Sequence, residues 1–313
     1  MTDTGQFNTP ILMITFNRPD ETKKLFDQIR MTRPTHLYVA SDGARNQEDL
    51  AAINEIREEI IKPDWPCELH TFYSDANQGC KLGVSNAISW FFEDVEAGII
   101  LEDDCIPNAD FFAFCRAMLD RYRDDLRISM ITGTNHLSDN LNYPPYFFSE
   151  HFNIWGWATW RRAWKLYDIE MKNWPSRAAI DFLEYKFPKK VKKHFEFTFN
   201  QAQHINTWDI QWVYSCVMNH TLCITPSVNL ISNIGVQGVH AGGKSDAHFM
   251  PTYRFPNECY ASYYPDVTLH ASFDLDLHKL KSYKAQRYRY LVTLMRRLRM
   301  YEFLRKMKRK LYG

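Results

Sequence analysis

Several features are missing from this 313-residue chain, and each absence removes a class of function. Seven cysteines are scattered as Cys67, Cys80, Cys105, Cys115, Cys216, Cys223 and Cys259, with no Cys-x-x-Cys pair and an odd total. That argues for reduced thiols in a cytosol, and against a cysteine-bound zinc or a disulfide frame. No apolar run approaches the ~20 residues that cross a bilayer. The stretch from Met1 to Thr9 is polar and lacks the basic-then-apolar layout of a secretion signal, so the expected location is the cytoplasm. A formal net charge of +1 gives no global case for nucleic acid or an acidic polymer. The glycines match neither a Walker loop nor a Gly-x-Gly-x-x-Gly fingerprint, which speaks against an ATPase or a dehydrogenase. What remains is 45% hydrophobic and 15% aromatic, enough for a substantial core in one or two domains.

The most informative stretch is Gly98 to Pro107. A short apolar run, Ile99 to Leu101, ends in three consecutive carboxylates, Glu102, Asp103 and Asp104, before Pro107 and a helix start at Asp110. This reads as a buried strand delivering acid to its own carboxyl end. Like charges repel and lose solvation there, so the cluster calls for a cation. Carboxylate oxygens suit Mg2+ or Mn2+, and such an ion in turn holds a diphosphate. A solvated acidic turn is the plainer reading of Asp-Asp alone.

The segments before it repeat one theme. Pro10 to Phe16 reads as a strand, followed by Asn17-Arg18-Pro19-Asp20 and a helix over Glu21–Met31. His36 to Ser41 is a second strand, ending in Asp42-Gly43, with Asn46 capping a helix from Gln47 to Ile61. Cys67 to Tyr73 is a third, ending in Ser74-Asp75-Ala76-Asn77-Gln78-Gly79, with a helix over Leu82–Glu93. Regular alternation of apolar strands and helices predicts a parallel sheet covered on both faces, with all strand carboxyl ends along one rim. Open α/β sheets bind ligands at that rim. It collects Asn17, Arg18, Asp42, Asn77, Gly79, Lys81 and the acids 102 to 104 as candidate nucleotide-sugar contacts. Arg18 suits a phosphate or a base, Asp42 suits a base N–H, and Gly79 and Gly83 allow close backbone approach. Asn17, Asp42 and Asn77 are equally ordinary turn residues.

Thr15-Phe16-Asn17-Arg18-Pro19, Ser41-Asp42-Gly43, Asn77-Gln78-Gly79 and Leu101-Glu102-Asp103-Asp104-Cys105-Ile106-Pro107 with Phe111-Phe112 together resemble nucleotide-diphospho-sugar transferases of the GT-A type. The acidic segment looks particularly like the N-acetylglucosaminyltransferase I-like enzymes that start complex N-glycans, and like bacterial family 2-like relatives. The resemblance spans roughly residues 10 to 240. It implies a Rossmann-like, mostly parallel sheet with helices on both faces, Asp104 on the metal, Asp103 near the donor ribose and sugar, and Asp42 on a uracil-type base.

The middle of the chain is aromatic. Trp155-Gly156-Trp157-Ala158-Thr159-Trp160-Arg161-Arg162 with Trp164 offers indole faces for sugar rings and guanidinium groups for phosphate, and Trp157 is the candidate contact. Trp157, Trp160 and Trp164 also have helical spacing, which suits core packing equally. Asp209 lies in the first turn of a helix running to about Asn219, where the helix dipole favours a carboxylate. The resemblance implies that it is the base of an inverting enzyme, taking the proton of an acceptor hydroxyl. Val239-His240-Ala241-Gly242-Gly243 adds a histidine that the resemblance implies as a further metal or diphosphate ligand, in a glycine-rich lid.

Residues 284 to 310 carry eleven Lys or Arg against a single Glu302, with apolar side chains at helical spacing. A basic amphipathic helix of this kind suits an anionic membrane surface, the same domain, or a partner subunit. RNA ranks last, without a recognised module. The expected organisation is a transferase domain over 1–258 and a basic helical extension over 259–313. The expected function is a metal-dependent glycosyltransferase moving a sugar from a nucleoside diphosphate, UDP favoured, to a glycan or lipid-linked acceptor in bacterial surface-polysaccharide synthesis. It would work in the cytoplasm, peripherally at the inner face of the plasma membrane, and without nucleic acid. The competing readings are a non-catalytic sugar- or lipid-binding protein on the same fold, and a sugar-1-phosphate nucleotidyltransferase. A glycoside hydrolase is disfavoured, because three adjacent acids at one strand tip do not flank a bond.

Overall fold

The computed structural model describes residues 6–138, 143–235 and 250–277. The chain divides into two compact units, Met1–Leu269 and His270–Gly313. All the strands belong to the first, and in the second residues 271–277 are helical. His240 and the basic stretch 284–310 lie outside the described residues. Among the described residues, no helix is long and apolar enough to cross a membrane.

The first half is built as its alternation predicts: β1 (Ile11–Thr15), α1 (Pro19–Thr32), β2 (His36–Ser41), α2 (Gln47–Glu55), β3 (Glu68–Tyr73), α3 (Gly79–Asp94) and β4 (Ala97–Glu102). Local chemistry sets the boundaries. Pro19 opens α1, where a missing N–H loses no bond, and Arg33 closes it in the left-handed region with its N–H on the Ile29 carbonyl at 3.1 Å. The Asn46 side chain accepts the Asp49 N–H at 2.8 Å and caps α2. The expected single helix to Ile61 changes after Glu55 into a π-helical turn, Ile56–Ile60. Then come β5 (Cys105–Pro107), α4 (Ala109–Arg121), β6 (Ile128–Thr132), β7 (Tyr146–Ser149), β8 (Trp157–Trp160), α5 (Arg161–Trp164), α6 (Arg177–Lys186), α7 (Lys189–Ala202), α8 (Asp209–Met218), β9 (Leu222–Pro226) and β10 (Ile231–Asn233).

Eight strands form one sheet in the order β3-β2-β1-β4-β8-β6-β9-β7. The half from β3 to β4 is parallel throughout. Beyond it, β8 is antiparallel to both β4 and β6, β9 is parallel to β6, and β7 is antiparallel to β9. The sheet is therefore mostly parallel, the Rossmann-like arrangement that the resemblance implied. Successive residues of each central strand feed opposite cores, as a period of two requires. Ile11, Met13, Leu37, Val39, Ile99 and Leu101 pack with side chains of α1 and α4. Leu12, Ile14, Tyr38, Ala40 and Ile100 pack with side chains of α3, α5, α6, α7 and α8. Two expectations change. β3 is not apolar throughout: it is the outermost strand, and Glu68, His70 and Thr71 sit in it because one edge faces water. Trp157 and Trp160 belong to a strand, with Trp164 ending a short helix, because β8 fills the gap between β4 and β6 and buries indoles on alternate faces.

Those indoles anchor α8. Trp157 stacks on Trp208 with ring centroids 5.8 Å apart at 21°, and lies 5.6 Å from Trp212. Trp164 closes the group, 5.3 Å from Trp212 and stacked on Tyr167 at 4.3 Å. Each such pair adds about 0.5–1.5 kcal/mol beyond area burial. The amino end of α8 is thereby held to the middle of the sheet. Trp212→Ala empties a fully buried position in this cluster, and we expect a loss of about 3–5 kcal/mol in urea unfolding. A loss below ~1 kcal/mol would show that the cluster does not anchor the helix.

Candidate active site

The chain order reverses between β1 and β4: from β1 it steps outward to β2 and β3, then returns past β1 to β4. Diverging connections leave a crevice at the carboxyl ends of these two strands. Arg18, just after β1, and the acids ending β4 meet there. The Arg18 guanidinium donates through one terminal nitrogen to Asp103 and through the other to Asp104 Oδ2 at 2.9 Å. The Asp103 carboxylate, 2% exposed, lies 3.4 Å from the Phe16 N–H, and its own N–H donates to the Ile14 carbonyl at 3.0 Å. Burial pushes the Asp103 carboxyl upward and Asp104 adds to this, while Arg18 pulls it down. Arg18 is raised in turn by its two carboxylates, against the effect of burial, and stays charged.

Asp104 is the more open of the two acids. Its Oδ1 meets only weak partners, the Asn233 Nδ2 at 3.5 Å and the Cys105 thiol at 3.4 Å. Its backbone carbonyl accepts the Ile234 N–H at 2.8 Å, and β5 pairs antiparallel with β10 from Cys105 to Pro107. A Cβ at Gly235 would collide with Asp104 Oδ2, so only glycine lets this turn close over the acid. Glu102 sits among these acids. Burial and then the charges of Asp104, Asp103 and Asp209 push its carboxyl up to about 8, with Arg18 opposing.

Asp209 reaches the same corner from α8. Besides acting on Glu102, it adds to burial, the larger cause, in raising the Tyr167 hydroxyl, which donates to the Trp208 carbonyl at 3.2 Å. Burial first, and then Glu102, Asp209 and Asp104, push the Cys80 thiol up to about 12, so Cys80 lies amid these carboxylates as an unreactive thiol. The Thr207 hydroxyl donates to Asp209 Oδ1 and fixes its rotamer. Four carboxylates therefore share this corner, and Arg18 pairs directly with two of them, Asp103 and Asp104.

The other rim residues are brought close but are occupied in building loops. Asp42 Oδ1 accepts the N–H groups of Gly43 at 2.8 Å and Gln78 at 2.9 Å, and Oδ2 accepts Gly79 N–H and Asn77 Nδ2, each at 3.0 Å. It shapes the approach to α3, and a base N–H meeting it shares or displaces one of these bonds. Asn77 also donates to the Gly43 carbonyl at 2.9 Å. Gly79, at φ +75°, turns the chain beside the Asn206 amide. Asn17 donates to Asp49 Oδ1 at 2.6 Å and so ties the loop after β1 to the cap of α2. Lys81 Nζ lies 3.6 Å from Glu170. Trp157, 1% exposed, is buried against the indoles of Trp208 and Trp212 and offers no open face to a sugar.

Three residues were not singled out from the sequence. Arg57 donates to the carbonyls of Ser41, Asp42 and Ser74 at 2.9–3.2 Å and to the Ser41 hydroxyl at 3.0 Å, clamping the ends of β2 and β3. Asn206 accepts the Lys81 N–H at 2.9 Å, joining the approach to α8 to the start of α3. Thr207 orients Asp209. Arg57 gives no local signal inside a helix, and Asn206-Thr207 reads only as a capping pair.

No family model matches the chain, and no curated protein matches it. Among solved structures, HddC from Yersinia pseudotuberculosis aligns at 10% identity with a TM-score of 0.31, over 49% of this chain and 77% of that one. Mouse xyloside xylosyltransferase 1, in its apo form, aligns at 10% identity with a TM-score of 0.32, over 68% of this chain and 82% of that one. The architecture of this chain rests on its own strand order and register.

The raised carboxyl of Glu102 sets a sign for pH. The folded protein holds this proton more tightly than the unfolded chain, whose carboxyl titrates near 4.5. The contribution to stability is therefore full below that value and lost as pH rises through about 8. In chelator, we expect Glu102→Gln to gain thermal stability over the native chain progressively between about pH 5 and 8. Melting curves that stay parallel across that range would remove Glu102 from the cluster.

Proposed function

We propose that this chain is a metal-dependent glycosyltransferase that moves a sugar from a nucleoside diphosphate, a UDP-sugar by preference, to a hydroxyl of a glycan or lipid-linked acceptor, with inversion at the anomeric carbon. One observation carries the reading. Arg18, the acids 102 to 104 and Asp209 come from three distant stretches of chain and meet at the crevice between β1 and β4, with more negative charge than one guanidinium offsets.

The donor set fits a hard divalent ion, Mn2+ or Mg2+. It offers carboxylate oxygens only, Asp104 Oδ1 is weakly engaged, and the Glu102 carboxyl is raised by burial first and then by the neighbouring acids. Asp104 would hold the ion, and His240 is kept in the proposal as a further ligand. Such an ion, when bound, offsets the charge that develops on the departing diphosphate. Asp103 stays on Arg18 and faces the ribose and sugar, with Glu102 beside it. Arg18 has a second terminal nitrogen, now on Asp104, to offer a phosphate oxygen. Asp209 takes the proton from the acceptor oxygen as that oxygen bonds to the anomeric carbon and the nucleoside diphosphate leaves. Thr207 keeps the Asp209 carboxylate pointed while this happens. Asn17, Asp42, Asn77, Gly79 and Lys81 shape the nucleotide side of the crevice.

The biological setting in the proposal is bacterial surface-polysaccharide assembly from the cytoplasmic side, with the basic stretch 284–310 resting on anionic lipid. That placement follows from its eleven cations and its apolar spacing.

The direct test is a thermal-shift screen of UDP-, GDP-, CMP- and dTDP-sugars with and without Mn2+, followed by calorimetry on the best donor. We expect a metal-dependent shift for one nucleotide class, and its disappearance in Asp104→Ala. Asp209→Asn should bind that donor normally while transfer falls by about 10²–10⁴. Normal transfer by Asp209→Asn would remove the base, and a shift with nucleoside triphosphates alone would favour nucleotidyl transfer. Removing residues 284–313 should abolish co-sedimentation with anionic vesicles and leave donor affinity unchanged; equal sedimentation would end the membrane assignment.

A further inference from the structure

The opposite edge of the sheet holds a second group of metal-ligating side chains, made of different chemistry. β2 and β3 run parallel with His36 directly beside Glu68 and Tyr38 beside His70. The two-residue period of a strand puts Glu68 and His70 on one face, and the register adds His36 to it. These three residues lie at the amino ends of their strands, away from the rim that carries Asp103 and Asp104. Their ligand atoms all lie within 4.8 Å of one another. His36 Nδ1 is 3.3 Å from Glu68 Oε2, and His70 Nε2 is 3.1 Å from Glu68 Oε1.

The geometry points to a binding site for a zinc-class divalent ion formed by His36, Glu68 and His70. Zinc bonds of about 2.0–2.2 Å place neighbouring ligands of a tetrahedron roughly 3.4 Å apart. Two of the three separations are already close to that value. His70 Nε2 is buried and lies 3.1 Å from Glu68 Oε1 without forming an aligned hydrogen bond. Something else holds the ring. His70 stacks on Tyr38 with centroids 4.3 Å apart and planes within 5°, and Tyr38 is wedged edge-on against Trp90 and Phe91. The imidazole is thus oriented by the core before any ion arrives, as the support around a metal ligand requires. Glu68 stands at the outermost strand with a mostly exposed side chain, free to close on an ion from solvent. Two neutral imidazoles and one carboxylate suit Zn2+ over Mg2+, and leave a fourth position for water. This site is independent of the transferase reading and would pin the first turns of β2 and β3 together.

The test uses the full chain stripped with chelator and then titrated with ZnCl2 by calorimetry in saturating Mg2+, which occupies oxygen-only sites. We expect the native chain to bind one zinc equivalent more than the His36→Gln/His70→Gln variant. We also expect zinc to raise the melting temperature of the native chain and not that of the variant. Cobalt in place of zinc should give tetrahedral ligand-field bands without a thiolate charge-transfer band. Equal zinc stoichiometry in both proteins overturns the site, as does a thiolate band, which would assign the ion to cysteine. Should the double variant fail to fold, Glu68→Gln at its exposed position carries the same comparison. Loss of the zinc equivalent with unchanged donor binding would support this site whatever becomes of the transferase assignment, and retained zinc in Glu68→Gln would refute it.

Discussion

A single guanidinium gripping Asp103 and Asp104 across the crevice between β1 and β4 is the contact on which the functional corner depends. Arg18 is attached to α1 through the loop after β1, and the two acids to β5 and α4 through the turn after β4. Taking two charges out of water is repaid only when the geometry satisfies both, and here each carboxylate receives its own terminal nitrogen. The pairing keeps the crevice from splaying under its own repulsion. It also leaves the balance negative, because Asp209 adds charge without a second arginine among the described contacts, and Glu102 beside these acids keeps its proton up to about pH 8. In the proposed function, a cation would take over part of the charge that Arg18 now meets, freeing one of its terminal nitrogens for a phosphate oxygen.

Around that contact the structure uses stiff supports. Arg57 collects three strand-end carbonyls, so the loops after β2 and β3 cannot move apart without breaking bonds to a half-buried cation. Asp42 then pins the start of α3 by accepting consecutive N–H groups. Across the crevice, the indoles of β8, α5 and α8 hold Asp209 to the sheet. The acids sit at the tips of elements: Glu102 ends β4, Asp103 and Asp104 follow it, and Asp209 opens α8. Their positions are set by residues that never touch a ligand, which is how a site on loops acquires the precision of the elements beneath it.

The parallel half of the sheet was legible in the sequence because its central strands β1, β2 and β4 are largely apolar runs ended by polar turn residues, and β3 repeats the strand–turn–helix alternation. The other half was not. β6, β7, β8 and β9 are only four or five residues long, and their mixed directions depend on pairing between distant segments, which no local period encodes. Trp157 and Trp160 illustrate the failure: three-residue spacing fits a helix, yet tertiary pairing with β4 and β6 places both on a strand. In the site, the acidic strand tip, Arg18 and Asp209 were readable from residue type and position. The four bonds that occupy Asp42 were not, nor was the burial of Trp157, since both follow from which neighbours arrive from elsewhere in the chain. The histidines of β2 and β3 carry no sequence signal for the same reason. His36 and His70 are thirty-four residues apart and become neighbours only through the parallel register.

The sheet's two edges thus present opposite ligand chemistry, and that difference has a consequence for ion selection. At the carboxyl ends the donors are oxygens carried by several negative charges, which attract a hard ion by charge and leave it free to keep water and phosphate. At the amino ends two imidazoles and one carboxylate favour a borderline ion through directed nitrogen donors. A parallel sheet makes such a separation natural: strand carboxyl ends open into variable loops, while the amino ends lie next to the preceding turns and differ from the start in sequence. If both proposed sites bind ions, one that prefers the donors at one end gains little at the other. The acids 102 to 104 follow the carboxyl end of their strand while His36 and His70 sit toward the amino ends of theirs, so parallel strand direction keeps the two donor sets apart.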